Sequence, residues 1–231
     1  MKLPLSNRLL TCCSFVHPGD RVADVGCDHG YLGIYLLQNR IAASVIESDI
    51  NEMPLKSARE NAAKFGISDR MSFFLSDGVR LIPRDFDCMV CAGMGADTMI
   101  SILEAAPWLR DSRYRLILQC QSKRPELRKY LADHGFSILR ETLAKDGKFL
   151  YPVMEACYAP GSAPAPWEYY VTPQLIADSS PLLLPFVRRV MGGVEDSLLG
   201  LQHNGGSYQE TAEIYEHLKE LERKLAHDNG K

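Results

Sequence analysis

The segment Val22-Ala-Asp-Val-Gly-Cys-Asp-His-Gly-Tyr-Leu32 decides the fold, because it predicts a buried strand, a glycine turn and a helix start in direct succession. The residues before Gly26 suit a central strand, and those after Gly30 have helical spacing. Both glycines let the backbone turn and approach a ligand closely. Asp28 stands where a dinucleotide-binding motif would have a glycine. The segment therefore predicts a nucleotide-like ligand, but in a site that differs from the usual dinucleotide site.

Strand-like and helix-like patterns alternate to about residue 158, which predicts an α/β fold with a parallel sheet between two layers of helices. The tight turn at 145–148 joins the last two strands as an antiparallel hairpin. Seven strands with such a terminal pair are the layout of the Rossmann-like class I methyltransferase fold. The predicted strands lie near 21–25, 43–48, 71–75, 86–92, 114–119, 136–143 and 149–157, and the predicted helices near 3–16, 30–39, 52–65, 97–106 and 123–134.

A second domain is predicted after residues 159–166, where three prolines and small side chains offer nothing to pack. We place the first domain at 1–160 and the second at 167–231. The second domain is expected to be a C-terminal helical hairpin with a coiled-coil-like seam and a turn at 204–206. Its role is left open between RNA docking, dimerisation and capping of the first domain. The predicted seam consists of Leu183, Val187, Val190, Val194, Leu198, Leu201, Ile214, Leu218, Leu221 and Leu225.

Composition favours a soluble cytoplasmic protein. The chain has 231 residues, 46% of them hydrophobic, and contains no apolar run long enough to span a membrane. The seven cysteines are expected to be reduced and packed, and Cys88 and Cys91 should point to opposite faces of one strand. The histidines show no ligand spacing, so no metal site is predicted. The oligomeric state does not follow from the sequence.

Charge is distributed unevenly along the chain. Residues 110–140 contain eight basic and three acidic residues in a protein of net charge −3. Such a segment is a candidate footprint for a polyanion, although a solvated helix face is the commoner explanation. Residues 161–231 contain six basic and ten acidic residues, which argues against a dominant phosphate-binding role there. The candidate contacts are Arg110, Arg113, Lys123, Arg124, Arg128 and Lys129.

Polar residues and glycines follow each of the first four predicted strands, at the edge where parallel sheets bind ligands. Asp49 ends the second strand and can accept hydrogen bonds from both hydroxyls of a ribose. Glu47 competes with Asp49 for this role, but we expect it to point away from the site. Alternatively, Asp24 could have no role beyond capping its turn, and Asp77 and Gly78 could form an ordinary turn. The candidate cofactor-binding residues are Asp24, Gly26, Cys27, Asp28, Asp49, Ile50, Asp77, Gly78, Ala92 and Gly93.

Several motifs together resemble the bacterial tRNA (adenine-22)-N1-methyltransferases, the TrmK family. The resemblance covers the whole chain and is most specific in 28–32 and in Gly93-Met-Gly95. It implies a class I methyltransferase domain with a C-terminal coiled-coil hairpin, S-adenosyl-L-methionine as cofactor and tRNA as partner. The motifs that support it are Asp24-Val-Gly-Cys-Asp-His-Gly-Tyr-Leu32, Ala92-Gly-Met-Gly95, Leu116-Ile-Leu-Gln119, Leu127-Arg128 and Asp146-Gly-Lys148.

Three departures from the family pattern concern the methyl acceptor more than the cofactor. Where the family usually has Gly-Met-Gly-Gly, this chain has Ala96 after Gly-Met-Gly. Where the family usually has Leu-Gln-Pro-Asn, this chain has Cys120-Gln121 after Leu-Gln. The family's Gly-Pro is replaced by Met53-Pro54. Gln121 keeps an amide but lengthens it by one methylene. Another base or another tRNA position therefore stays open as an alternative substrate.

The candidate catalytic residues are Asp28, His29, Tyr31 and Gln121. Asp28 would favour the positive charge that N1 methylation leaves on adenine, and Tyr31 would stack on the extruded base. His29 and Gln121 would orient that base. The alternatives are a surface histidine for His29 and a core aromatic for Tyr31. At the level of the whole protein, the alternatives are a small-molecule or protein methyltransferase and a cofactor-binding protein without turnover.

Overall fold

The computed structural model describes residues 3–203 and 206–228, and it divides into two compact units. The first unit runs to Gly161 and the second begins at Ser162. None of the described helices has the length and apolarity that a membrane crossing requires. The limits predicted for the functional domains, 160 and 167, stay predictions, because the division into compact units does not show which unit carries which function.

The first unit is built on one seven-stranded sheet in the order β3-β2-β1-β4-β5-β7-β6. All neighbouring strands are parallel except the pairs β5–β7 and β6–β7, which are antiparallel. The predicted α/β fold with seven strands and a terminal antiparallel pair is therefore confirmed. The strands are β1 Asp20–Val25, β2 Ala42–Asp49, β3 Met71–Leu75, β4 Cys88–Met94, β5 Arg115–Cys120, β6 Phe136–Asp146 and β7 Phe149–Tyr158.

Helices cover both faces of the sheet. The leading helix begins at Asn7 and not near residue 3, because Ser6 is still extended (φ −72°, ψ 159°). The other four helices of the first unit begin and end within two residues of their predicted limits. The helices of the first unit are α1 Asn7–Phe15, α2 Tyr31–Gln38, α3 Glu52–Lys64, α4 Ala96–Glu104 and α5 Arg124–Asp133.

The core consists of two apolar layers, one on each face of the sheet. Alternate residues of the central strands point into opposite layers, so Val22 packs with α1 and α2 while Ala23 packs with α4 and α5. Strands buried on both faces explain the near-continuous apolar runs of β1, β4 and β5. Gly33 lets α2 lie directly on β2, because a Cβ there would be 2.9 Å from the Val45 Cγ1.

The second unit contains α6 Pro173–Ala177, α7 Leu183–His203 and α8 Gln209–Asp228. Contacts show that α7 and α8 are antiparallel: Arg188 Nε donates to Glu222 Oε1 at 2.8 Å, and Tyr215 donates to Glu195 Oε1 at 2.9 Å. The predicted seam is buried at Leu183, Val187, Val194, Ile214 and Leu218 and half-buried at its other positions. Residues 204 and 205 of the predicted turn lie outside the described residues.

Candidate functional site

A cleft of about 270 Å³ opens at the carboxyl ends of β1 and β4. Strand order reverses between these two strands, and ligands bind at such switch points in open α/β sheets. The cleft includes eight of the predicted site residues and four that were not predicted. Its lining consists of Arg8, Leu9, Asp24, Gly26, Cys27, Asp28, His29, Tyr31, Leu32, Ala92, Gly93 and Met94.

The glycine turn after β1 is fixed to the neighbouring strand. The backbone N–H groups of Gly26 and Cys27 donate to the Ser48 carbonyl at 2.8 and 3.1 Å. Gly26 has φ +74°, and a Cβ there would be 2.2 Å from the Cε of Met94. A side chain at Gly26 would therefore need both a strained backbone and a displaced Met94, so glycine keeps this wall of the cleft open.

Two carboxyls are buried together behind this turn. Asp24 and Glu47 are 4% and 0% exposed, and neither oxygen of Glu47 has a hydrogen-bond donor among the described residues. Burial raises the pKa of Asp24 to about 7. Burial, together with the neighbouring Asp24, also raises the pKa of Glu47 well above its usual range. The pair therefore holds a proton under conditions in which isolated carboxyls would be ionised.

The expectation that Glu47 points away from the site is wrong. Residues two apart on a strand share a face, so Glu47 lies on the same face of β2 as Asp49. Its Oε1 is 3.6 Å from the position of a Cβ at Gly30 and 2.1 Å from that at Gly33. Glycine at both positions leaves room for this buried carboxyl, a role that the glycine spacing alone did not reveal.

The residues after β2 and β3 flank the cleft without lining it. Asp49 is 9% exposed, and its Oδ1 accepts the Asn51 N–H at 2.9 Å. Ile50 follows as a 65% exposed side chain. The Ser48 hydroxyl donates to the Gly78 carbonyl at 2.6 Å and so ties the loop at Asp77 to β2. These residues form one continuous edge with the glycine turn, because Ser48 bonds to both.

The acceptor candidates next to this turn are exposed. Asp28 adopts the left-handed region at φ 51°, which places its side chain, 74% exposed, beside the cleft. His29 Nε2 is 3.5 Å from Asp28 Oδ1, and the His29 and Tyr31 ring centroids are 5.8 Å apart. Aspartate tolerates the left-handed region better than most residues, which explains how it replaces a glycine here.

Gln121 lies at the opposite wall. Its N–H donates to the Met94 carbonyl at 2.8 Å, and its Nε2 is 3.6 Å from the position of a Cβ at Gly93. The exposed Gln121 side chain is therefore adjacent to the cleft but does not line it. Gly93, at φ +86°, brings this turn close to the residues of α1.

Arg8 and Gln119 were missed by the sequence analysis. Gln119 is completely buried, and its Oε1 accepts hydrogen bonds from Arg8 Nη1 at 2.9 Å and from the Gly93 N–H at 3.1 Å. The two residues come from α1 and β5, 111 positions apart. Only the motif Leu116-Ile-Leu-Gln119 hinted at Gln119, and no local pattern marks Arg8 as a cleft residue.

The thiol that lines the cleft is not activated as a nucleophile. Burial, followed by the nearby Glu47 and Asp24 carboxyls, raises the pKa of Cys27 and keeps it protonated. Cys88 and Cys91 are fully buried in β4. Within residues 3–203 and 206–228, no three His, Cys, Asp or Glu side chains are grouped so that they could hold a metal ion.

The basic segment is not one patch. Arg110 and Arg113 precede β5, whereas Lys123 and Arg124 follow it, so a strand of roughly 20 Å separates them. Arg128 is wrong as an RNA contact, because it is 2% exposed and forms a buried ion pair with Glu141. A buried guanidinium cannot reach a phosphate without breaking that pair.

Other cations of the segment also have partners. Lys123 Nζ is 2.7 Å from Asp97, and Lys129 Nζ is 2.7 Å from Asp133. Lys123 and Arg124 are nonetheless the members of the segment at the same edge of the sheet as the cleft. The net positive charge near the cleft is therefore smaller than the number of basic residues in 110–140 suggests.

The sheet order and the glycine-lined cleft at its switch point define a class I methyltransferase domain. A family model described as a methyltransferase domain matches residues 5–154, more than half of the chain. The chain belongs to this family. The resemblance to the TrmK family predicted from its motifs is supported by the relatives and solved structures that it matches.

Sequence and structure comparisons support this assignment. The tRNA (adenine(22)-N(1))-methyltransferase of Bacillus subtilis is 31% identical over 67% of this chain and 66% of its own length, just under two thirds. Sp1610 of Streptococcus pneumoniae is 26% identical with a TM-score of 0.83 over 94% of this chain and 99% of that chain, and has also been solved with S-adenosyl-L-methionine. The B. subtilis TrmK structure, 23% identical, has a TM-score of 0.79 over 98% of this chain and 99% of its own and shows a similar fold.

Proposed function

We propose that this protein is a cytoplasmic tRNA methyltransferase that uses S-adenosyl-L-methionine to methylate N1 of adenine at position 22 of tRNA. The family assignment supports methyl transfer, and the B. subtilis relative has this activity by name. The observation that carries the proposal is the single cleft in which the glycine turn after β1 adjoins Asp28, His29 and Tyr31. A methyl donor and an acceptor base can meet there over a short distance.

The donor half of the cleft fits S-adenosyl-L-methionine. Gly26 keeps space beside the backbone at the switch point, and Asp24 lies at its base. Asp49, which ends β2, is placed to accept hydrogen bonds from the ribose hydroxyls. Ile50 and Asp77 would bound the adenine of the cofactor. The remaining contacts proposed on this side are Cys27, the backbone of Asp28, Gly78, Ala92 and Gly93.

The acceptor half needs to align the base more than to remove a proton. Adenine N1 has a lone pair at neutral pH and attacks the methyl carbon in line, while the bond from that carbon to sulfur breaks. S-adenosyl-L-methionine supplies the activated methyl group when it is bound. The positive charge remains on the adenine ring, where the carboxylate of Asp28 near the N6 edge favours it.

The other acceptor residues would hold the base. Because N1 is shielded when adenine is paired, the base must be unpaired or turned out of its helix. Tyr31, the first residue of α2, would stack on it. His29 and Gln121 would fix its orientation from the two walls. Arg8, held by Gln119, adds a cation at the same side of the cleft.

We further propose that 1–160 is the catalytic domain, and the role of the helical hairpin of 167–231 stays open between tRNA docking, dimerisation and capping. Of the basic segment, Lys123 and Arg124 are the contacts retained near the cleft, with Arg110, Arg113 and Lys129 at more distant positions. The mass of the free protein in solution tests dimerisation.

The test is methyl transfer to bulk tRNA with S-adenosyl-L-methionine, followed by mass spectrometry of the nucleosides. The proposal expects 1-methyladenosine to accumulate. A methyl group found on another base would overturn the acceptor assignment. Cofactor binding without transfer to any RNA would instead indicate a binding protein, for which the altered loop Gln119-Cys-Gln121 leaves room.

A further inference from the structure

The hairpin between β6 and β7 extends beyond the support of the sheet. The pairing of β5 with β7 runs from Arg115–Cys157 to Leu118–Met154. The pairing of β6 with β7 continues to Asp146–Phe149, so 149–153 pair with β6 alone. Because β7 is antiparallel to β5, the free end of this ribbon lies at the carboxyl edge of the parallel strands. The cleft opens at that same edge.

The tip of the ribbon has the chemistry of a nucleic-acid contact. Lys145 and Lys148 are exposed, and Phe149 is 41% exposed. Lys148 Nζ lies 5.4 Å from the Phe149 ring centroid, so a cation and an aromatic face are presented together. Lysines beside an exposed aromatic ring suit phosphates and a stacked base, respectively.

The acidic residue of the tip faces inward. Asp146 Oδ1 accepts the Asn7 N–H at 2.8 Å, and its Oδ2 accepts the Arg8 N–H at 3.1 Å. This carboxylate thereby caps the start of α1 and does not offset the two lysines at the surface. Asn7 Nδ2 also donates to the Lys145 carbonyl at 2.9 Å.

The same contacts connect the tip to the acceptor side of the cleft. Arg8, whose backbone is held by Asp146, donates through Nη1 to Gln119, which also accepts the Gly93 N–H. Arg8 and Gly93 both line the cleft. RNA bound at the ribbon would therefore lie next to the place where the acceptor base must enter.

We propose that the tip of the β6–β7 hairpin, 145–149, is an RNA-binding arm that holds the substrate tRNA beside the acceptor side of the cleft. Lys145 and Lys148 contact phosphates, and Phe149 stacks on an unpaired base. This proposal rests on the proposed function and adds a contact surface outside both the cleft and the basic segment at 110–140.

The test compares tRNA binding and methylation by the full chain and two double variants. Lys145→Ala/Lys148→Ala removes both cations of the arm. Arg40→Ala/Lys64→Ala removes two exposed cations at the opposite edge of the sheet and serves as the control. Phe149→Ala and Phe149→Tyr separate loss of the ring from its conservative replacement. Thermal unfolding and S-adenosyl-L-methionine affinity establish that each variant is folded.

The arm variant should raise the KM for tRNA roughly 10-fold or more and should lower the salt slope of tRNA binding by about two, while kcat at saturating tRNA stays within about twofold. Phe149→Ala should weaken tRNA binding about 10-fold, and Phe149→Tyr should restore most of it. Arm and control variants with the same KM and salt slope would overturn the proposal. If the wild-type protein neither binds nor methylates tRNA, the proposed function fails as well.

Discussion

The two halves proposed for the cleft, one for the methyl donor and one for the methyl acceptor, are built from different kinds of sequence. The donor half comes from loops that directly follow β1, β2, β3 and β4. The acceptor half combines the exposed Asp28 and His29 with Arg8, Gln119 and Gln121. Arg8 and Gln119 are 111 positions apart in the sequence. Substitutions in the donor half should therefore change cofactor affinity, and those in the acceptor half should change turnover.

The largest effect is expected at Asp28. Asp28→Asn removes the charge, and asparagine still tolerates the left-handed backbone. We expect kcat for tRNA methylation to fall about 100-fold, because the carboxylate no longer favours the charge on the methylated ring. The affinity for S-adenosyl-L-methionine should stay within about twofold. Steady-state kinetics and calorimetry measure the two quantities separately.

Asp69→Asn is the matched control, since Asp69 is exposed at the opposite edge of the sheet. Near-wild-type turnover of Asp28→Asn would remove this residue from the acceptor half. A large loss of cofactor affinity would move it to the donor half instead.

Asp49 should show the opposite pattern. Asp49→Ala removes the proposed acceptor of the ribose hydroxyls, and we expect the Kd for S-adenosyl-L-methionine to rise about 10-fold or more. At saturating cofactor, kcat should change by less than about threefold. Glu52→Ala, an exposed acid in the next helix, is the control for calorimetry. Equal affinities for Asp49→Ala and wild type would place the ribose elsewhere.

The buried pair behind the donor half makes stability depend on pH. In the folded state Asp24 keeps its proton to about pH 7, whereas in the unfolded chain it loses the proton near pH 4. The folded state therefore binds more protons in this window, and the free energy of unfolding falls as pH rises through it. Glu47→Gln removes one of the two interacting acids, so the fall should become smaller.

We expect the free energy of unfolding of Glu47→Gln to rise relative to that of the wild type as pH increases from 5 to 8, because the variant lacks one acid whose pKa burial raises. Urea unfolding at the two pH values measures this difference, with the exposed Glu52→Gln as control. Parallel pH profiles for wild type and Glu47→Gln would show that Glu47 does not contribute to the pH dependence of stability.

The smallest effect is expected for the basic segment. Arg124→Ala should lower the salt slope of tRNA binding by about one, the amount for a single phosphate contact. Arg40→Ala, at the other edge of the sheet, should leave the slope unchanged. Arg128→Ala should instead destabilise the protein by about 3 to 5 kcal/mol, because it removes the buried partner of Glu141. Equal slopes for Arg124→Ala and wild type would exclude this contact.

The donor half could be predicted because its residues lie in local motifs. Glycine turns, strand ends and helix starts depend on neighbours in the sequence, so the seven strands and the positions of Asp24, Gly26 and Asp49 followed from pattern alone. Glu47 was expected to point to the face of β2 opposite Asp49. Residues two apart on a strand share a face, so the two side chains lie on the same face.

The acceptor half could be predicted only in part. Arg8 and Gln119 meet because tertiary packing brings α1 onto the sheet, and no local signal encodes that contact. The sequence also could not show which cations of 110–140 are surface residues, because burial of Arg128 depends on Glu141 in another strand. The position of the hairpin tip likewise depends on register between strands that are distant in sequence.

The most direct test of the account is nucleoside mass spectrometry on two tRNA transcripts that differ only at position 22. One carries adenine and the other guanine, and each is incubated with the protein and S-adenosyl-L-methionine. The account predicts stoichiometric 1-methyladenosine in the first transcript and no methylation of the second. Equal methylation of both transcripts, or a methyl group on another base, would contradict it.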